Sequence, residues 1–378
     1  MKYGLVIISA IFIVIGMGSA LQAEEEVREI STQYQPVTLI KQVGNLEHPW
    51  AVAFLEDGRM LVSERPGRIQ LIENGNKTRV AGVPDDLYSE NQGGMLDLVV
   101  HPDYENNGWI YMTYSRGDAE ATVPALMRAR LDGDTLLDAE LLFESNTYTE
   151  PGRHYGSRIL FLDDGTLLMT IGDRGLEPPR AQDTLDHSGS IVRLNDDGSI
   201  PEDNPFVDQD GYLPEIYTYG HRNIQAITLH PETGEIWVAE HGPRGGDELN
   251  LIEPGNNYGW PVQTLGLDYG TEGPFPDAQT RDHPDMVNPV FEFLPTLAPS
   301  GLTVVRGNFD AWEGNLLVGG LPSERILRLL IEDQEVIHAE ELFVKELGRI
   351  RDVRQGPDGN IYILSDEPDG ALYRVEPG

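Results

Sequence analysis

Six times along the chain a turn glycine precedes a four-residue apolar run. The runs are Arg59-Met60-Leu61-Val62 after Gly58, Trp109-Ile110-Tyr111-Met112 after Gly108 and Thr166-Leu167-Leu168-Met169 after Gly165. Glu235-Ile236-Trp237-Val238 follows Gly234, Asn315-Leu316-Leu317-Val318 follows Gly314, and Asn360-Ile361-Tyr362-Ile363 follows Gly359. Asp-Gly and Asn-Gly pairs ahead of β-favouring residues are hairpin signals. Each run also has an apolar stretch before it, such as Ala51-Val52-Ala53-Phe54 or Ile159-Leu160-Phe161. Each has an alternating stretch behind it, such as Arg68-Ile69-Gln70-Leu71-Ile72 or Leu372-Tyr373-Arg374-Val375. The unit is therefore an antiparallel meander, and no long helical period competes with it beyond the N-terminus. Repeated meanders of this size predict an all-β fold, a six-bladed β-propeller with four-stranded antiparallel blades. A sandwich or a β-helix fits the regular meander less well. The turn glycines are spaced 45 to 80 residues apart, so several blades must carry long loops, the longest from Gly259 to Pro299. Val37-Thr38-Leu39-Ile40 lies ahead of the first blade and is expected to supply the outer strand of the last, closing the ring.

The first residues have another character. A basic start (Met1-Lys2-Tyr3), an apolar run from Gly4 to Met17 and small residues through Ala23 predict a signal peptide over 1–23, cut after Ala20 or Ala23. The run is short for a spanning helix, and an uncleaved anchor is the alternative. The propeller is expected over 36–378, in the periplasm or secreted, without membrane insertion once the leader is gone. Sixty-three acidic against 27 basic residues give a net charge of −36, which repels nucleic acid and anionic membranes. The chain holds no cysteine, which excludes disulfides, thiol chemistry and lipidation of a leader cysteine. A monomer or homodimer is expected.

Candidate chemistry follows from blade geometry. The first strand of a blade lines the channel and the second runs antiparallel to it. The loops leading into strand one and out of strand two therefore share one channel mouth. Leading in are His48, Gln92, His154, Arg222 with Asn223, Pro299 with Ser300, and Arg349 with Arg351. Leading out are Ser63-Glu64-Arg65, Gly172-Asp173-Arg174, His241-Gly242-Pro243 and Ser365-Asp366. Asp173 falls across the same hairpin as His154, where a carboxylate orients an imidazole for proton transfer. Arginines gathered at one mouth of so acidic a chain suit the capture of carboxylates on a small polyanion. Gly242 and Pro243 offer carbonyl oxygens, and Asp247, Glu248, Asp268 and the Tyr258 carbonyl add more. Oxygen donors point to Ca²⁺ rather than a soft metal.

The stretches "RHYGSRILFLDDGTLLMTIGDRG", "YGHRNIQAITLHP", "AEHGPRGGDELNLIEPGNNYGWP" and "GRIRDVRQGPDGNIYIL" resemble the soluble aldose sugar dehydrogenases that use pyrroloquinoline quinone (PQQ), including the soluble glucose dehydrogenase group. The resemblance runs in order from His48 to Val375 and implies a six-bladed propeller with the quinone at the channel mouth. It implies His154 as the base with Asp173 as its partner, and Arg222, Arg349, Arg351, Gln92 and Asn223 as cofactor contacts. Gly242 and Pro243 would present carbonyls to a Ca²⁺ at the cofactor; Glu248, Tyr258 and Asp268 match a second, structural Ca²⁺ site. An aldose would be oxidised to a lactone and electrons passed to an external acceptor. One departure is the loop Gly319-Gly320-Leu321-Pro322-Ser323-Glu324-Arg325, which lacks the lysine that the glucose dehydrogenase group carries there. Two readings of other classes stay open at this level: a non-catalytic ligand-binding propeller, and a Ca²⁺-dependent lactonase-type hydrolase.

Overall fold

The structure, a computed structural model, describes residues 27–378, so the leader expected over 1–23 lies outside the described residues. Six antiparallel sheets follow one another along the chain, and the first strand of each touches the first strands of both neighbours. That cyclic contact makes the ring and its axial channel. The inner strands are Pro49–Phe54, Met95–Val100, Ile159–Phe161, Ile224–Leu229, Pro299–Val304 and Ile350–Gln355, for blades 1 to 6. Helix is confined to Tyr104–Asn107 and two short 3₁₀ turns among the described residues.

The runs are apolar on both faces because both faces are covered. Six hydrophobic clusters sit one at each junction between neighbouring blades, for example Trp50, Leu61 and Ile69 with Met95, Leu98 and Ile110 between blades 1 and 2. Packing blade against blade this way removes several large side chains per junction from water, each worth about 1.5–3 kcal/mol.

Blade 6 is built from both ends of the chain. Gly370–Pro377 pairs with Val37–Leu46, in a register running from Val37 opposite Pro377 to Leu46 opposite Gly370. The expected closing strand is there, longer than its apolar core. Val27–Ile30 adds a fifth, outermost strand that the hydrophobic pattern does not single out. Blade 4 holds the long insertion between Glu248–Ile252 and its short last strand, Phe291–Glu292.

Five inner strands break register near the mouth, between Pro49 and Ala51, Met95 and Leu98, Ile224 and Ala226, Pro299 and Leu302, and Ile350 and Asp352. A bulge re-aims the residue it carries. In blade 3 the corresponding stretch makes no regular strand, and His154, Gly156 and Ser157 have φ of 57°, 62° and 74°. The mouth is thus built from irregular starts of regular strands.

Candidate functional site

The bulges turn Trp50, Leu96, Gln225 and Arg351 toward one cavity of about 360 Å³ at the mouth, within the size range of small-molecule sites. Asn91, Gln92, Tyr155, Gly156, Asn223, His241, Ala298, Leu321 and Pro322 add to its wall. Three guanidinium groups face it, from Arg65, Arg349 and Arg351, against the single lining carboxylate of Asp366. Arg351 Nη2 pairs with Asp366 Oδ2 at 2.5 Å, and its Nη1 donates to Gln225 Oε1 at 3.1 Å. His48 Nδ1 lies 2.8 Å from the other Asp366 oxygen. Burial pushes the Asp366 carboxyl up, yet Arg351, His48 and Arg349 outweigh it and hold the group far below the usual carboxylate range. The cavity therefore keeps an excess of positive charge for an anionic guest.

His154 is not itself a lining residue, but it directly precedes two that are, Tyr155 and Gly156, and its backbone N–H donates to a third, Gln92 Oε1, at 2.8 Å. His154 and Asp173 are both buried, with Nδ1 to Oδ1 at 2.6 Å. Asp173 Oδ1 also accepts the Gly175 N–H, and Oδ2 accepts the Trp260 indole N–H at 2.8 Å. Burial lowers the pKa of His154, with Asp173 opposing; burial raises that of Asp173, but His154 and Arg222 bring it below its ordinary value. Both directions describe a neutral imidazole beside an ionised carboxylate. Nδ1 then carries the proton toward Asp173, and Nε2 keeps its lone pair without a partner among the described residues. That is the state a general base requires.

The hairpin closes this tightly because two glycines let it. A Cβ on Gly172 would stand 2.2 Å from the His154 carbonyl oxygen, and one on Gly156 would meet Thr170 O at 2.8 Å. Any side chain at Gly172 pushes the two loops apart.

Arg222 stands apart from the position expected of it. Its Nη1 donates to the His241 carbonyl at 3.0 Å, its guanidinium lies 5.3 Å from the Trp260 ring, and its Nε is buried without a partner. It lines a second, small cavity of about 10 Å³ with Glu240, Gly242, Glu248, Tyr258 and Gln263, room for one water or ion. Glu248 is raised well above the ordinary glutamate range by burial and then by Glu240, and its one hydrogen bond is a long one from Asn250 at 3.4 Å. The buried Asn250 Oδ1 has no partner either. Gly242 and Pro243 are buried in the same turn, where Pro243 O accepts the Gly246 N–H. Asp268 differs from the expectation: its carboxylate caps a surface turn by accepting from Gly270, Thr271 N and Thr271 Oγ1, and it lines neither cavity. Among the described residues no three His, Cys, Asp or Glu side chains cluster as a metal site.

Arg65, present among the residues leading out of strand two but given no role, supplies the third guanidinium where Arg222 had been expected. In the loop noted for its departure, Leu321 and Pro322 face the cavity while the Arg325 guanidinium pairs with Glu341 at 2.5 Å and lies outside the lining.

The glucose/sorbosone dehydrogenase family model matches residues 46–374. The aldose sugar dehydrogenase YliI of Escherichia coli is 36% identical over 339 residues, 88% of this chain and 91% of that protein. Quinoprotein glucose dehydrogenase B of Acinetobacter calcoaceticus is 27% identical, covering 86% of this chain and 84% of its own. The solved PQQ-bound aldose sugar dehydrogenase of Streptomyces coelicolor aligns with a TM-score of 0.73 and 25% identity, over 94% of this chain and 99% of that one.

Proposed function

The chain belongs to the glucose/sorbosone dehydrogenase family of oxidoreductases, and from that premise we propose that it oxidises aldose sugars at the anomeric carbon to lactones with PQQ and Ca²⁺. The observation that carries this reading is the neutral, Asp173-held His154, with Nε2 free, beside a cavity whose guanidiniums outnumber its carboxylates. A planar tricarboxylate suits that excess of Arg65, Arg349 and Arg351, with Gln92 and Asn223 as neutral donors. The residues also fit a hard cation. Gly242 and Pro243 would present carbonyl oxygens to one at the cofactor, and under-bonded Glu248 with the orphaned Asn250 oxygen would serve a second, whose charge would oppose the burial and the Glu240 charge that raise Glu248.

When bound, the quinone supplies a carbonyl carbon that accepts hydride, made more electrophilic by the Lewis-acid cation. His154 Nε2 takes the proton of the anomeric hydroxyl as the C1–H bond breaks, and Asp173 stabilises the imidazolium that forms. Trp260 keeps Asp173 from rotating away. Two electrons and one hydrogen thus leave C1, one proton rests on His154, and the electrons pass to an external acceptor. Leader removal and export would place the reaction in the periplasm or outside the cell.

The test is reconstitution. The purified apo protein, given PQQ and Ca²⁺, should reduce a dye with aldoses only when both are present. His154→Ala should lower the rate by about 10²–10⁴-fold, the usual worth of a general base. At a hundredfold excess over its dissociation constant, Ca²⁺ should stabilise the apo protein by about 2.7 kcal/mol, and Glu248→Gln should remove most of that. Absence of quinone binding would overturn the reading.

A further inference from the structure

Beneath the cavity the channel is filled by charge. Arg158, from the loop into blade 3, is 3% exposed and reaches across the axis to four other blades. Its Nη1 donates to Asp352 Oδ1 at 2.9 Å and lies 3.7 Å from Asp97 Oδ1. Its Nε donates to the Gln225 carbonyl at 2.7 Å and its Nη2 to the Arg351 carbonyl at 3.1 Å. Its guanidinium lies 4.1 Å from the centre of the Trp50 ring, over which Arg351 also sits at 5.7 Å. Arg354 completes a balanced quartet by pairing with both Asp97 and Asp352.

The contacts to Gln225 and Arg351 are selective. Both are bulge residues, both line the cavity, and their side chains bond each other. A bulge leaves backbone groups outside the ladder, and two such carbonyls are taken by one guanidinium. From this geometry we infer that Arg158 is the positioning residue of the cavity floor: its fork fixes the bulges of blades 4 and 6 so that Gln225 and Arg351 face the cofactor. The inference rests on the proposed function for the guest, and on the contacts themselves for the positioning. Lysine at this place would keep the charge and lose the fork, since three donors in fixed directions serve three groups on the inner strands of two blades.

The experiment compares Arg158→Lys with Arg354→Lys, whose side chain serves the same carboxylates but neither bulge carbonyl. Equilibrium binding of PQQ to the apo protein is read by quenching of tryptophan fluorescence, without turnover. Alongside it, hydrogen exchange is followed at the amides of 225–226 and 351–352. Arg158→Lys should weaken PQQ binding by about tenfold or more, the scale of a lost charged hydrogen bond, and speed exchange at both bulges. Arg354→Lys should change affinity by less than about threefold on the same scale. Wild-type affinity and wild-type exchange in a folded Arg158→Lys protein would overturn the inference, and so would equal losses in the two variants. If Arg158→Lys does not fold, Asp352→Asn, which removes the carboxylate that aims Arg158, must weaken PQQ binding or the inference fails. If the wild type binds no PQQ, the functional reading falls, and positioning is decided by exchange alone.

Discussion

His154 is neutral because burial outweighs Asp173, and the sign of that balance sets how activity responds to pH. Desolvation disfavours the imidazolium, so the base form persists below the ordinary histidine value of about 6.5. The rate at low sugar concentration should stay level through neutrality and fall only at pH values below that figure. Asp173→Asn removes the charge that pulls the pKa back up, so the acid limb should shift further down. The plateau should drop by about 10²–10⁴-fold as the favoured tautomer is lost. A limb that moves upward in this variant would contradict the balance described. His154 and Asp173 were legible in the sequence because a hairpin places them opposite each other at short separation. Arg65 and Arg222 were not separable, since both flank blade strands and only the fold shows that Arg222 turns to the His241 carbonyl while Arg65 faces the cavity. The surface-turn position of Asp268 was not readable for a related reason. An acid two residues before a glycine caps its own turn as readily as it binds a metal.

At the level of elements, regular blades were readable and their irregular beginnings were not. Alternation and turn glycines mark strands, while a bulge adds one residue with no signature in hydrophobic period. Yet the bulges carry Trp50, Leu96, Gln225 and Arg351 to the cavity, so the unreadable feature is the one that shapes the site. The hairpin of blade 3 makes a sharper prediction. Gly172→Ala sets a methyl against the His154 carbonyl and should cost about 1–3 kcal/mol of stability by overpacking. Because the displaced atom belongs to the proposed base, turnover should fall more steeply than the shift in the unfolding midpoint implies. Thermal unfolding and steady-state rates on the same sample give the comparison. A destabilised variant with full turnover would show that the loops separate without moving the imidazole.

Across the whole molecule, the ring depends on one seam. Val37–Leu46 pairs with Gly370–Pro377, and the clusters flanking blade 6 draw Val37, Leu39, Val43 and Leu46 from that strand. Deleting residues 27–46 leaves Gly370–Pro377 as an exposed edge with buried apolar residues laid open. Such a protein should lose cooperative unfolding and self-associate, visible as a broadened calorimetric transition and early elution in gel filtration. A sharp, monomeric transition would mean that five complete blades suffice. The closing strand itself was legible from a short apolar run before the first repeat. Val27–Ile30 was not, because an outer strand half open to water carries no continuous hydrophobic run.

That seam joins nearly the first described residues to the last, so blade 6 gains its closing strand only once Gly370–Pro377 has been made. A ribosome that stalls or a protease that trims the tail yields an arc whose missing seam announces itself as sticky surface, whereas a finished chain hides it. Ring closure is thereby tied to the arrival of Gly370–Pro377, and until that strand is made the apolar face of Val37–Leu46 waits without its partner.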